Sequence, residues 1–141
     1  MRPRKRILLI DSNELRQSTR RYMLTIRGFA VHAAASAEEA HELAADHDPD
    51  LVIACWPMAG TDLGRLLDHL YEQRPAMRSM LLAEQLSSPP ENVTVDACIL
   101  KGNCSPAEIV DRAKFLCARK RGPKKPVEID RMMVLAERRI A

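Results

Sequence analysis

Apolar residues in this chain fall into short unbroken runs separated by stretches with helical periodicity. Ile7-Leu8-Leu9-Ile10 is an all-apolar run, as expected of a strand buried on both faces. Asp11-Ser12-Asn13 supply turn and cap residues. The helix predicted after them carries apolar positions at Leu15, Tyr22, Met23 and Ile26 and stops at Gly28. Phe29 to Ala33 predicts a second strand. Ser36 and Glu39 form a capping box that starts a helix using Ala40, Leu43 and Ala44 and ending before Pro49. Leu51 to Ala54 predicts a third strand. Leu63, Leu66, Leu67 and Leu70 then recur at i, i+3, i+4 and i+7, the stripe of a helix packed on a sheet.

Met80 to Ala83 and Ala97 to Leu100 predict the fourth and fifth strands. Ser105-Pro106-Ala107-Glu108 is another capping box, with proline at the first helical position. The helix it opens runs to about Lys120 and turns Ile109, Ala113 and Leu116 inward. Between strands four and five, residues 84–96 hold Pro89-Pro90 and a Val93-Thr94-Val95 run, which disfavour a full helix and predict a short or distorted one. Strands alternating with helices at this spacing mean right-handed crossovers and a parallel sheet covered on both faces. The expected fold class is therefore α/β, a doubly wound five-stranded parallel sheet. Arg119 to Pro126 is a basic, proline-containing linker. Beyond it Ile129, Met132, Met133, Ala136 and Ile140 keep a helical period, so residues 127–141 predict an amphipathic helix that is marginal without a surface to pack on.

Composition narrows the class. The chain has 141 residues, enough for one domain and a tail, and only five aromatics, so its core must come from aliphatic residues. No apolar run is long enough to span a membrane and no signal peptide is apparent, so a cytoplasmic location is expected. Cys55, Cys98, Cys104 and Cys117 show neither paired nor zinc-finger spacing, and reduced thiols are expected. The net charge of +3 is unevenly placed. Residues 118–141 hold eight Lys/Arg against three Asp/Glu, which leaves the body at −2. A basic appendage on a near-neutral domain does not suit a nucleic-acid-binding domain.

In doubly wound folds function gathers at the carboxyl ends of the strands, and three segments there carry a resemblance. Ile7 to Ser12, Pro49-Asp50-Leu51-Val52-Ile53-Ala54-Cys55, and Ile99-Leu100-Lys101-Gly102 with the Ser105 box resemble the phosphorylation-site strands of response-regulator receiver domains. Arg27-Gly28-Phe29-Ala30-Val31 and Ser36-Ala37-Glu38-Glu39-Ala40 also match that family's habits, so the resemblance covers residues 6–118. It implies the flavodoxin-like receiver fold, with strand order 2-1-3-4-5, and a place in two-component, phosphorelay signal transduction.

The resemblance breaks at the site itself. Receiver chemistry needs a carboxylate nucleophile, Mg²⁺ held by carboxylate oxygens, and a lysine and a hydroxyl for the phosphoryl oxygens. Asp11 matches the first acidic position and Lys101 the lysine. The second acidic position is Ser12, the nucleophile position Cys55, the hydroxyl position Ala83 and the aromatic switch position Cys98. Sulfur is a poor ligand for Mg²⁺, so Cys55 does not replace the lost oxygen. An Asp11–Lys101 ion pair in a metal-free pocket is expected, with no catalysis and no cofactor. What remains is an atypical receiver acting by protein–protein interaction, with a protein of a signalling pathway or a second copy as partner.

Two other readings stay open. Cys55 beside Lys101 could be an activated thiol and a redox or modification sensor, against the plainer reading of a small buried filler. The 119–125 basic stretch could serve a small transcription-associated regulator, but fifteen tail residues are too few for a helix-turn-helix module, so nucleic acid is not expected to bind by itself. Trp56 either anchors a partner or folds back over the pocket. Ile129, Met132, Met133 and Ala136 are the tail's candidate contact residues. His32, His41, His47 and His69 form no catalytic arrangement in sequence and are expected at the surface.

Overall fold

The computed structural model describes residues 4–58, 61–83, 93–100, 105–118 and 127–128. Strand β1 (Arg6–Ile10) leads through the Asn13 cap into α1 (Glu14–Ile26), and β2 (Ala30–Ala34) into α2 (Ala37–His47). Strand β3 (Leu51–Trp56) is followed by α3 (Leu63–Gln73), then by β4 (Arg78–Ala83). The two-residue β5 (Thr94–Val95) precedes β6 (Ala97–Leu100) and α4 (Pro106–Ala118), and β7 (Val127–Glu128) comes last. Five parallel strands form one sheet in the order β2-β1-β3-β4-β6, the expected order with β6 as the fifth main strand. Glycine ends α1 as the sequence suggests: Gly28 takes φ 100 while its amide bonds the Thr25 carbonyl.

Strand parity divides the core in two. Leu8, Ile10, Val52, Ala54 and Leu81 face α2 and α3. Ile7, Leu9, Leu51, Ile53, Cys55 and Leu82 face α1 and α4. Burial on both faces is why these strands read as unbroken apolar runs. The caps form as expected. Ser36 Oγ accepts from the Glu39 amide at 3.2 Å, and the Glu39 carboxylate reaches back to the Ala35 amide at 2.9 Å. Ser105 Oγ accepts from the Glu108 amide at 3.2 Å.

Three expectations change. The apolar positions Leu15, Tyr22 and Ile26 do not face the core: they are 79%, 69% and 60% exposed, and α1 buries Arg20 and Leu24 instead. At about 100° per residue these two sets lie on opposite sides of the helix, and the inward side is claimed by the chemistry described below. The tail does not begin as a helix: Val127–Glu128 pairs antiparallel with Thr94–Val95. A β-branched residue such as Val127 suits an extended strand. The remaining tail candidates, Ile129, Met132, Met133 and Ala136, lie outside the described residues, as does the 119–126 linker. Of the irregular segment before β6, Thr94–Val95 form the short strand β5 and 84–92 lie outside the described residues.

The histidines are the third change, since they pair. His32 on β2 stacks on His47 at the end of α2, with ring centroids 3.6 Å apart and planes 8° from parallel. His41 and His69 approach to 5.9 Å between α2 and α3. Burial, the His47 ring and the Arg21 and Arg6 charges all lower the His32 pKa. The unfolded chain therefore takes up this proton at a higher pH than the folded one. The stability concerned is present above the ordinary histidine value and is lost as pH falls through the lowered one. Urea midpoints should drop between pH 7.5 and pH 5, and His32→Gln should flatten that dependence; an equal slope in both proteins would refute the assignment.

Candidate functional site

The carboxyl end of β1 delivers Asp11 into a fully buried position, with its amide bonded to the Ala34 carbonyl of β2 at 2.9 Å. A bare carboxylate there would be costly, and α1 supplies the compensation. Arg16 makes a bidentate contact, Nε to Oδ2 and Nη2 to Oδ1, both at 2.7 Å. The Asn13 amide donates to Oδ1 at 2.9 Å, and Gln17 Nε2 donates to the Asp11 carbonyl at 2.9 Å. One helical turn further, Arg20 places Nη1 3.7 Å from Asp11 Oδ2 and donates from the same nitrogen to Cys55 Sγ at 3.2 Å. The order Asp11–Arg20–Cys55 joins the ends of two neighbouring strands through one guanidinium.

Asp11 is thus held by arginines of α1; the expected pairing with Lys101 falls on a residue outside the described ones. Among the described residues the cluster has one carboxylate and two guanidiniums, so its formal charge is +1 rather than near zero. Both carboxylate oxygens already accept charge-assisted hydrogen bonds. Among the described side chains that meet here, the remaining one is a neutral thiol, so these residues do not fit Mg²⁺, which demands several free oxygens. Of the two readings of Cys55, the geometry favours the buried filler over the activated thiol. Its side chain is fully buried, and burial with the neighbouring Asp11 charge pushes the thiol pKa from 9.0 up to about 12, against the opposing pull of Arg20.

Of the other sequence-derived positions, Ser12, Ala83 and Cys98 do not join this cluster. Ser12 is exposed. Ala83 ends β4 beside Trp56 in register and faces the α2–α3 layer, the opposite side of the sheet from Cys55. Cys98 pairs in register with Leu81 and packs on that same opposite layer. Trp56 is half-buried there, folded against the core rather than held out from it. Sequence reading missed Arg16 and Arg20. Their i, i+4 spacing, continued by Leu24, was the available signal; it was hidden by the more hydrophobic stripe on the other side of α1.

With this geometry in view, the comparisons are informative about the fold. The chain is similar to a CheY-like response regulator receiver domain from Methanospirillum hungatei, at 19% identity and TM-score 0.70, over 82% of this chain and 94% of that one. It is likewise similar to a signal receiver domain of an HD domain-containing protein from Pseudomonas fluorescens, at 23% identity and TM-score 0.71, over 83% and 89%. An orphan response regulator of H. pylori matches at 21% identity and TM-score 0.68, over 82% and 99%. No protein-family profile and no curated protein matches the sequence. The class defined here is the receiver fold. Among the described residues, no helix is long and apolar enough to cross a membrane.

The clasp has a measurable consequence. Asp11→Ala removes the buried carboxylate that Arg16 and Arg20 both meet, and should lower unfolding stability by about 3–5 kcal/mol. Arg16→Ala, whose side chain is 22% exposed, leaves Arg20 and the Asn13 amide in place and should cost about 1–2 kcal/mol. Equal losses in chemical denaturation would contradict this division.

Proposed function

We propose that this chain is a response-regulator receiver that signals by binding other proteins without being phosphorylated, its carboxylate held by guanidinium groups in place of a metal ion. The observation that carries the reading is the bidentate Arg16–Asp11 contact, extended by Arg20 to Cys55. A receiver that accepts phosphoryl groups needs free carboxylate oxygens for its cation and a carboxylate nucleophile. Here the oxygens are occupied and the acceptor position is a buried thiol. The expected role is binding rather than catalysis, with no cofactor, in the cytoplasm.

The outer face of α1 supports a binding role. Leu15, Tyr22 and Ile26 form an exposed apolar stripe, and Phe115 on α4, the helix beside α1 in the same layer, is 58% exposed. Large exposed apolar patches mark interaction sites more often than they occur by chance. A second copy of the chain is one partner such a face can take. The thiol-sensor reading loses support, because a fully buried thiol with a raised pKa is a poor nucleophile.

Acetyl phosphate with Mg²⁺ tests the proposal. No acid-labile phosphoryl adduct should form on the native chain, and Cys55→Asp alone should not create one, because Asp11 stays clasped. A stoichiometric adduct on either protein would overturn the reading.

A further inference from the structure

Below the α2–α3 face, at the end of the sheet opposite Asp11, lies a cleft of about 230 Å³. Its walls are Leu67, Asp68 and Tyr71 on one side of α3, Met77 and Ser79 at the start of β4, and Thr94 of β5 with the Asp96 that follows it. Leu67 and Met77 are buried at its base, while Tyr71 is 45% exposed at its mouth. Asp96 is fixed by the Ser79 amide at 2.8 Å and lies 3.9 Å from Arg78; Asp68 is exposed. The cleft has an apolar floor and a carboxylate at its rim.

The β5–β7 pairing brings the end of the chain to this place. Val127 stands opposite Val95 and Glu128 opposite Thr94, itself a wall of the cleft. Thirteen residues follow Glu128. In sequence they carry Ile129, Met132, Met133, Ala136 and Ile140 at helical spacing, with Arg131, Arg138 and Arg139 against Asp130 and Glu137. As a helix, that apolar stripe would be about 16 Å long, the length of α3 (eleven residues). A helix this short needs a surface to be stable, and unbranched methionines adapt to irregular clefts.

We propose that residues 129–141 dock in cis into the cleft between α3 and β5, apolar face inward, with an arginine toward Asp68. The β5–β7 pair acts as the hinge that aims them. The exposed stripe of α1 is a less suitable seat for this segment, because α1 covers the other face of the sheet from α3 and β5. This inference does not depend on the phosphorylation-independent reading and can fail separately from it.

The test uses the full chain with p-benzoylphenylalanine in place of Tyr71, an aromatic exchange at the cleft mouth. After irradiation at high dilution, peptide mapping should find position 71 joined to residues 129–141 of the same chain. The double variant Met132→Asp, Met133→Asp should lower that yield at least about fivefold, since charges would be carried into an apolar floor. Its thermal midpoint should stay near that of the parent, which shows that the domain is intact. Crosslinks only between chains, crosslinks that miss the tail, or an unchanged yield in the double variant would each overturn the proposal.

Discussion

The clasp of two arginines on a buried aspartate organises the upper end of this molecule. Asp11 has no exposure, and its charge is met by Arg16 at both oxygens, by the Asn13 amide and by Arg20 behind one oxygen. That requirement fixes the rotation of α1 about its own axis. The side bearing Arg16, Arg20 and Leu24 must turn inward, and Leu15, Tyr22 and Ile26 are turned out to solvent as a result. One electrostatic constraint therefore determines both the chemistry of the pocket and the apolar surface presented outside it.

It also sets the surroundings of Cys55. The third strand directs Cys55 into the α1–α4 layer, where Arg20 donates to its sulfur and Asp11 disfavours its anion. A carboxylate at that position would compete with Asp11 for the same guanidinium. A thiol fills the space, accepts one hydrogen bond and adds no charge. Across the sheet Ala83 and Cys98 serve the other core, so these two positions and Cys55 are divided between two layers.

Much of the fold was legible because strands buried on both faces and capped helices leave strong local signals. Ile7 to Ile10, the leucine stripe of α3 and the Ser36 and Ser105 caps all form as read. The failures have one physical origin, that tertiary demands overrode local pattern. The apolar stripe of α1 lost to a charge that had to be neutralised, and the start of the tail, helical by periodicity, became a strand against the edge of β5. The histidine pairs were invisible because stacking joins residues fifteen positions apart in sequence, His32 and His47, through the crossover of β2 and α2.

The most direct test of the central claim, that guanidinium groups stand where a cation would be held, is a paramagnetic one. Mn²⁺ follows Mg²⁺ in its preference for oxygen ligands and broadens nearby amide signals in nuclear magnetic resonance. Titrated into the native chain, it should leave the amides of residues 11–13 and 55–56 no more broadened than amides of matching exposure elsewhere in the chain. Selective loss of those signals at low Mn²⁺, reversed by Mg²⁺, would mean that Asp11 binds a metal ion and that the arginine clasp does not replace it.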